Sequence, residues 1–224
     1  YLQLSLGLDA FQTGVRLLPV SITMLVTALS GPLLSRFAGP RRIVRIGLGV
    51  LFVAILWLVA SVEPKLNERS FGIAMALLGV GMGLLASQLG NIVQSSVGEA
   101  ERGEVGGLQY TAQNLGSSLG TALVGSVLLA TLAISFGNHV ASHPEISDAV
   151  AHEAGVRIAG GVPFVSTTDA AAALATTQVP SGEQAAIVSA YADAQLVGLK
   201  LAFLTAAAFV LGSVPFTRKL PERL

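Results

Sequence analysis

The sequence contains no cysteine, which removes disulfide frameworks, thiolate metal centres and cysteine nucleophiles together and leaves the redox compartment open. Charge is also scarce. Only 12% of the 224 residues are Asp, Glu, Lys or Arg, thirteen of each sign, so there is no basic footprint for nucleic acid. No phosphate-binding glycine loop, Ser/His/Asp arrangement or pair of catalytic carboxylates can be assembled, which argues against an enzyme, and no cofactor is implied. His139 and His143 are four apart, with His152 and Glu153 beyond, but Pro144 interrupts the helix that would align them. A solvated loop is therefore expected there and no metal site.

Apolar side chains are abundant. They make up 52% of the chain, whose mean hydropathy is +0.70, and they come in runs of about 18 to 30 residues, the length a helix needs to cross about 30 Å of hydrocarbon. An all-α integral membrane protein follows. Residues 1–8 read as the end of an apolar helix rather than as a signal peptide, so the chain is expected to lack an N-terminal part.

Asp9 and Gln12 have the spacing of a helix cap with its return partner, and a first complete span is expected from there to Leu34, with Pro19 inside it. Ser35 to Arg42 forms a short connection, and Ile43 to Val62 a second span in which Arg45 can snorkel to the headgroups. A polar turn, Glu63 to Ser70, leads to a glycine-rich third span, Phe71 to Val97. After a charged loop at Gly98 to Gly106, the fourth span runs from Gly107 to Phe136. Residues 1–136 thus form one membrane region. Residues 137–180 are less apolar and form a soluble insert, with helix starts expected at Pro144 (followed by Glu145 and Asp148) and at Ser166 with Asp169. In residues 181–224, Ser181 and Gln184 suggest a capping box, and no breaker follows until Pro215. The result is a helix of roughly 50 Å and a short basic tail.

Lysine and arginine set the orientation. Eight of them (Arg36, Arg41, Arg42, Arg45, Arg102, Arg218, Lys219 and Arg223) fall on one side against Arg16, Lys65, Arg69 and Arg157 on the other. The first side is expected to be cytoplasmic, with the C-terminus there and the insert outside.

Two glycine- and hydroxyl-bearing stripes recur every four residues. In the third span they are Gly79, Gly83, Ser87, Asn91 and Ser95. In the fourth they are Gln109, Gln113, Ser117, Thr121 and Gly125, flanked by Gly116 and Gly120. Close helix packing is expected of Gly79, Gly83, Ser87, Gly116, Ser117, Gly120 and Thr121. The bulky amides Gln88, Asn91, Gln109, Gln113 and Asn114 are costly against lipid and are candidates for a substrate path, with helix–helix bonding as the rival. All thirteen carboxylates lie in loops or near helix ends, so no proton carrier is evident within the spans. Asp193 and Lys200 come nearest, and an interfacial pair is the simpler reading.

The connection at 31–42 resembles the signature loop of the major facilitator superfamily. Gly31, Leu33, Arg36, Gly39, Arg41 and Arg42 match its pattern, and Ser35 stands where that loop usually carries aspartate, so the acid's role does not transfer. The stretch from Gly107 to Ala122, and the long insert with Phe164 to Ser166, are similar to the fourteen-helix drug:proton antiporters. The resemblance implies the C-terminal six-helix half of a transporter bundle, its first helix truncated, with a helical extracytoplasmic insert before the last helix. It also implies a gating loop at Gly31, Arg36, Gly39, Arg41 and Arg42, and as partners the lipid bilayer, the missing N-terminal half, a small-molecule substrate and protons. The coupling acid would sit in that other half. A facilitator or symporter of another solute, or a membrane anchor presenting the insert, remains open.

Overall fold

In the computed structural model the described residues are 1–95, 97–147, 149–151, 163–177 and 179–222. Asp148, His152, Glu153, Arg157 and Arg223 lie outside them. Seven helices are described: α1 (Ala10–Leu29), α2 (Gly31–Phe37), α3 (Pro40–Ser61), α4 (Glu68–Ser95), α5 (Arg102–Ser142), α6 (Thr167–Ala175) and α7 (Ser181–Ser213). Short 3₁₀ turns occupy Glu99–Glu101 and Val214–Lys219. Five of these segments are long and apolar enough to cross a bilayer, the short α2 and α6 being the exceptions. The chain is a multi-pass membrane protein.

The ends of the helices follow local chemistry. Asp9 Oδ1 accepts from Gln12 N at 2.7 Å while Gln12 Oε1 accepts from Asp9 N at 3.4 Å, the reciprocal cap expected before α1. Residues 2–6 form a turn in which Ser5 N and Leu6 N both donate to Tyr1 O, the first with the i to i+4 spacing of a helical turn, and Gly7 at φ 67° ends it ahead of α1. The connection at 31–42 is also mostly helical. Pro32, in the first turn of α2, has the fixed φ of a helix starter, so the span expected to run to Leu34 breaks at Ser30 and a new helix begins at Gly31, with only Ala38 and Gly39 separating α2 from α3. α5 overruns its expected span at both ends, because the charged residues before it and the polar ones after it add helical turns outside the apolar stretch. At α7 the expected box is not formed. Gln184 Nε2 instead donates to Val179 O at 2.8 Å.

The chain divides into two compact units. One contains residues 14–61, 67–123 and 203–224, and its core is the α3–α4 pair. Ile43, Leu48, Leu51, Ala54, Ile55 and Leu58 of α3 are buried, opposite Phe71, Ala74, Met75 and Leu84 of α4. α1 lies against the other side of α4 through a half-buried stripe that includes Pro19, Val20, Thr23, Met24, Thr27 and Ala28. Its remaining faces expose Phe11, Val15, Leu18, Ile22, Leu25, Val26 and Leu29, side chains suited to hydrocarbon rather than to water.

The other unit contains residues 1–13, 62–66 and 124–202. Here Leu132, Tyr191 and Ala194 are buried together, with Phe136 edge-on to Tyr191 at 5.6 Å. Val140, Ile146, Ala186, Ile187 and Ala190 form a second cluster that roots the insert on α5 and α7. The helix expected at Ser166 is present: Ser166 Oγ accepts from Asp169 N at 3.0 Å and starts α6.

Candidate functional site: the α2–α3 loop and the polar stripes of α4 and α5

The first three residues of the α4 stripe, Gly79, Gly83 and Ser87, are packed inside the chain. A Cβ on Gly83 would lie 2.6 Å from Met24 O and 2.8 Å from Thr27 Cβ, and one on Gly79 would run into Thr23 Oγ1 and Val20 O. Only glycine lets α1 come this near, and the approach brings Ala76 O to 2.9 Å from Thr23 Oγ1, whose one proton is shared with Pro19 O of its own helix at 2.7 Å. One turn further along, Ser87 Cβ would be 2.7 Å from a Cβ on Gly31, so the stripe continues onto the start of the loop. Asn91 is exposed and donates to Ser87 O at 3.3 Å.

Gln88 is fully buried beside this stripe. Its Nε2 donates to Ser35 Oγ at 3.3 Å and to Ser87 Oγ at 3.2 Å, while its Oε1 has no partner. Ser35 Oγ in turn donates to Gly31 O at 3.0 Å. The position where the signature loop would carry an acid is therefore tied to α4 by neutral groups.

The α5 stripe is open. Gln113, Asn114, Ser117 and Thr121 are exposed, Gln109 is half-exposed, and a Cβ added at Gly116 or Gly120 would meet nothing within 4 Å. Neither Gln113 nor Asn114 forms a side-chain hydrogen bond among the described residues. Two amides with no partner on a span-length helix must meet a polar surface or water, since exposing them to hydrocarbon costs several kcal/mol by rough transfer estimates.

The loop arginines line a cavity of about 790 Å³, bounded by α2, by the first turns of α3 and by Glu222. Arg41 and Arg45 reach the segment after α7, and Arg36 and Arg42 complete the basic wall. Sequence reading missed the parts played by Arg45, Thr217 and Glu222, because nothing in their spacing links residues more than 170 positions apart. The only trace is one acid, Glu222, inside a basic stretch.

Elsewhere, Asp193 is exposed beside a smaller cavity of about 390 Å³, and no ion pair joins it to Lys200 among the described residues. His139 Nδ1 bonds to Ser135 O at 2.7 Å and His143 Nδ1 accepts from Glu145 N, so each ring is engaged locally. Among the described residues no cluster of three metal-ligating side chains occurs.

The signature loop lies between two packed spans, and residues 1–121 match the family model of the Major Facilitator Superfamily. The chain belongs to this superfamily. It is 35% identical over 132 residues to the tetracenomycin C resistance and export protein of Streptomyces glaucescens, which covers 58% of this chain and 24% of that protein. It is 29% identical over 138 residues to a probable actinorhodin transporter of Streptomyces coelicolor, 59% of this chain and 23% of the relative. Against the multidrug efflux pump LfrA of Mycolicibacterium smegmatis it is 26% identical over 219 residues, 97% of this chain and 41% of the relative. The chain therefore spans less than half the length of the curated relatives it matches. No solved structure matches it.

Proposed function

We propose that the chain is the second half of a superfamily transporter that exports drugs or other small amphipathic molecules in exchange for protons, by rocking of two halves around a midplane cavity. The observation that carries this reading is the exposed first half of α5, where Gln113, Asn114, Ser117 and Thr121 are exposed and Gln109 half-exposed alongside Leu108, Tyr110, Leu115 and Leu119, a mixed polar and apolar surface that suits the wall of a cavity for amphipathic molecules. The export and efflux functions named for the relatives favour an exported substrate. Among the described carboxylates only Asp193 stands inside a span-length helix away from its ends, exposed on the outer part of α7, and we assign the proton-carrying acid to the partner half. In this reading the 31–42 connection gates the cytoplasmic side, where the arginines collect, and residues 137–180 lie outside the cell.

Vesicle assays on the intact transporter test it. Drug addition should drive proton release, and Gln113→Ala or Asn114→Ala should change the substrate range or lower the rate. Drug movement without proton release would instead assign a facilitator. Unchanged range and rate in both variants would remove α5 from the substrate path.

A further inference from the structure

The segment after α7 turns back onto the loop between α2 and α3. Arg41, with a side chain only 24% exposed, is held by it through all three nitrogens: Nε donates to Leu220 O at 2.8 Å, Nη2 to Arg218 O at 2.8 Å and Nη1 to Glu222 Oε1 at 2.7 Å. Arg45 Nε donates to Thr217 Oγ1 at 2.9 Å. The backbone carbonyl of Glu222 occupies the place where any side chain on Gly39 would begin, so the glycine is a notch for this segment. Arg41 and Gly39 of the loop, and Arg45 further along α3, are thus committed to residues 217–222.

The charges explain why a carboxylate is wanted there. Arg36, Arg41, Arg42 and Arg45 line the cavity, and Glu222 is the single acid among its lining residues. Ser35, which stands where the loop would have its own acid, bonds only to Gly31 O and to Gln88. Like charges crowded in one concavity raise one another's energy, and a fixed carboxylate offsets this.

We infer that Glu222 serves as the acid of the gating loop, delivered by the strand of chain after α7, and that residues 217–222 are a detachable strap whose docking positions Arg41 and with it the loop. Glu222 is a positioning residue in this scheme. It acts through Arg41 and touches no substrate. Its side chain is 77% exposed, so the ion pair stands in water, is weakened by salt and releases readily. The weak pair adds to the bonds from Arg41 to Leu220 O and Arg218 O and from Arg45 to Thr217, so it biases the docked position and does not hold the strap by itself. The inference rests on the gating role proposed for residues 31–42.

The test uses the intact transporter in proteoliposomes, with two separate readouts. In the first, a nitroxide at Leu220→Cys reports whether the strap is docked. It should be immobile in the parent and mobile in Arg41→Ala and in Gly39→Ala, where the added methyl strikes the Glu222 carbonyl. In the second, Glu222→Gln should alter the maximal transport rate by about two- to fivefold, the scale of one exposed ion pair, without changing drug affinity. Glu222→Asp, which keeps the charge opposite Arg41, should stay closer to the parent rate than Glu222→Gln. A label that is mobile in the parent overturns the docked strap whatever transport does. A docked label with a parent-like rate in Glu222→Gln overturns the positioning role. Absence of drug transport by the parent protein, with the label immobile, would strike the proposed function and leave the docked strap standing.

Discussion

Replacing Gly83 by alanine should separate α1 from α4, and the expected size can be worked from the contact itself. The new Cβ would lie 2.6 Å from Met24 O, 2.8 Å from Thr27 Cβ and 3.1 Å from Ala28 N, all backbone or the rigid root of a β-branched side chain. None can swing aside. Ordinary carbon contacts lie at about 3.5–4.0 Å, so α1 must retreat by about 1 Å. That retreat stretches the 2.9 Å bond from Thr23 Oγ1 to Ala76 O beyond useful length. Overpacking of a fitted contact costs about 1–3 kcal/mol, and an interhelical hydrogen bond in a membrane protein contributes about 0.6 kcal/mol on average. Gly83→Ala should therefore cost about 1–3.6 kcal/mol, the upper end including loss of the Ala76 bond, since Thr23 can keep Pro19 O as its acceptor.

The control is on the same helix. A Cβ at Gly72 would meet nothing within 4 Å, so Gly72→Ala should be neutral or slightly stabilising, through better helix propensity. Thermal unfolding of both variants in detergent, followed by the monodisperse fraction remaining after heating, makes the comparison. Equal melting of Gly83→Ala and Gly72→Ala would refute the close approach of α1 to α4.

Further expectations follow from single contacts. Gln195→Leu leaves Val165 O, which now accepts from the buried amide at 2.6 Å, without that donor, and should cost about 1–3 kcal/mol, read as faster protease cleavage near residue 165. Tyr191→Phe removes the hydroxyl that donates to Pro163 O at 2.7 Å and accepts from Val165 N, and the same cleavage should quicken. Gln88→Met should change stability by less than about 1 kcal/mol, because it removes an unpartnered buried oxygen along with two long hydrogen bonds whose serine partners keep backbone acceptors. A loss of several kcal/mol would show that the amide anchors the loop.

Much of the helical framework is legible in sequence because it depends on long apolar runs bounded by polar cappers. The Asp9–Gln12 pair and Ser166 are local chemistry, and each forms the cap its spacing predicts. Other features depend on partners that sequence does not specify. Gly31-Pro32 suits a turn and the first residues of a helix equally well, and it starts α2. Gln184 had a serine at capping distance, yet the Val179 carbonyl is its acceptor. The strap was beyond reach for the same reason, since Arg41 is written as one more loop arginine and its acceptors lie on chain more than 170 residues away.

The two small-residue stripes show how far pattern goes and where it stops. Both have a small or polar residue every fourth position, and both read as packing surfaces with amides at one end. On α4 the pattern from Gly79 to Ser87 meets α1 and the Gly31 corner, so its glycines answer to steric need, and the neighbouring amide Gln88 is enclosed while Asn91 and Ser95 at the end of the stripe are exposed. On α5 the same spacing meets nothing in its own unit, and its amides stand free. A stripe that is already filled explains stability. A stripe left open on a span-length helix needs a second surface, and amides placed on it narrow the choice to another polar helix or a wet cavity. The prediction that separates these is direct: with the whole transporter assembled, a thiol at Gln113→Cys should react with a membrane-impermeant maleimide from one side and be protected by bound drug. Complete unreactivity in every transport state would make this face a dry helix contact and would move the substrate path elsewhere.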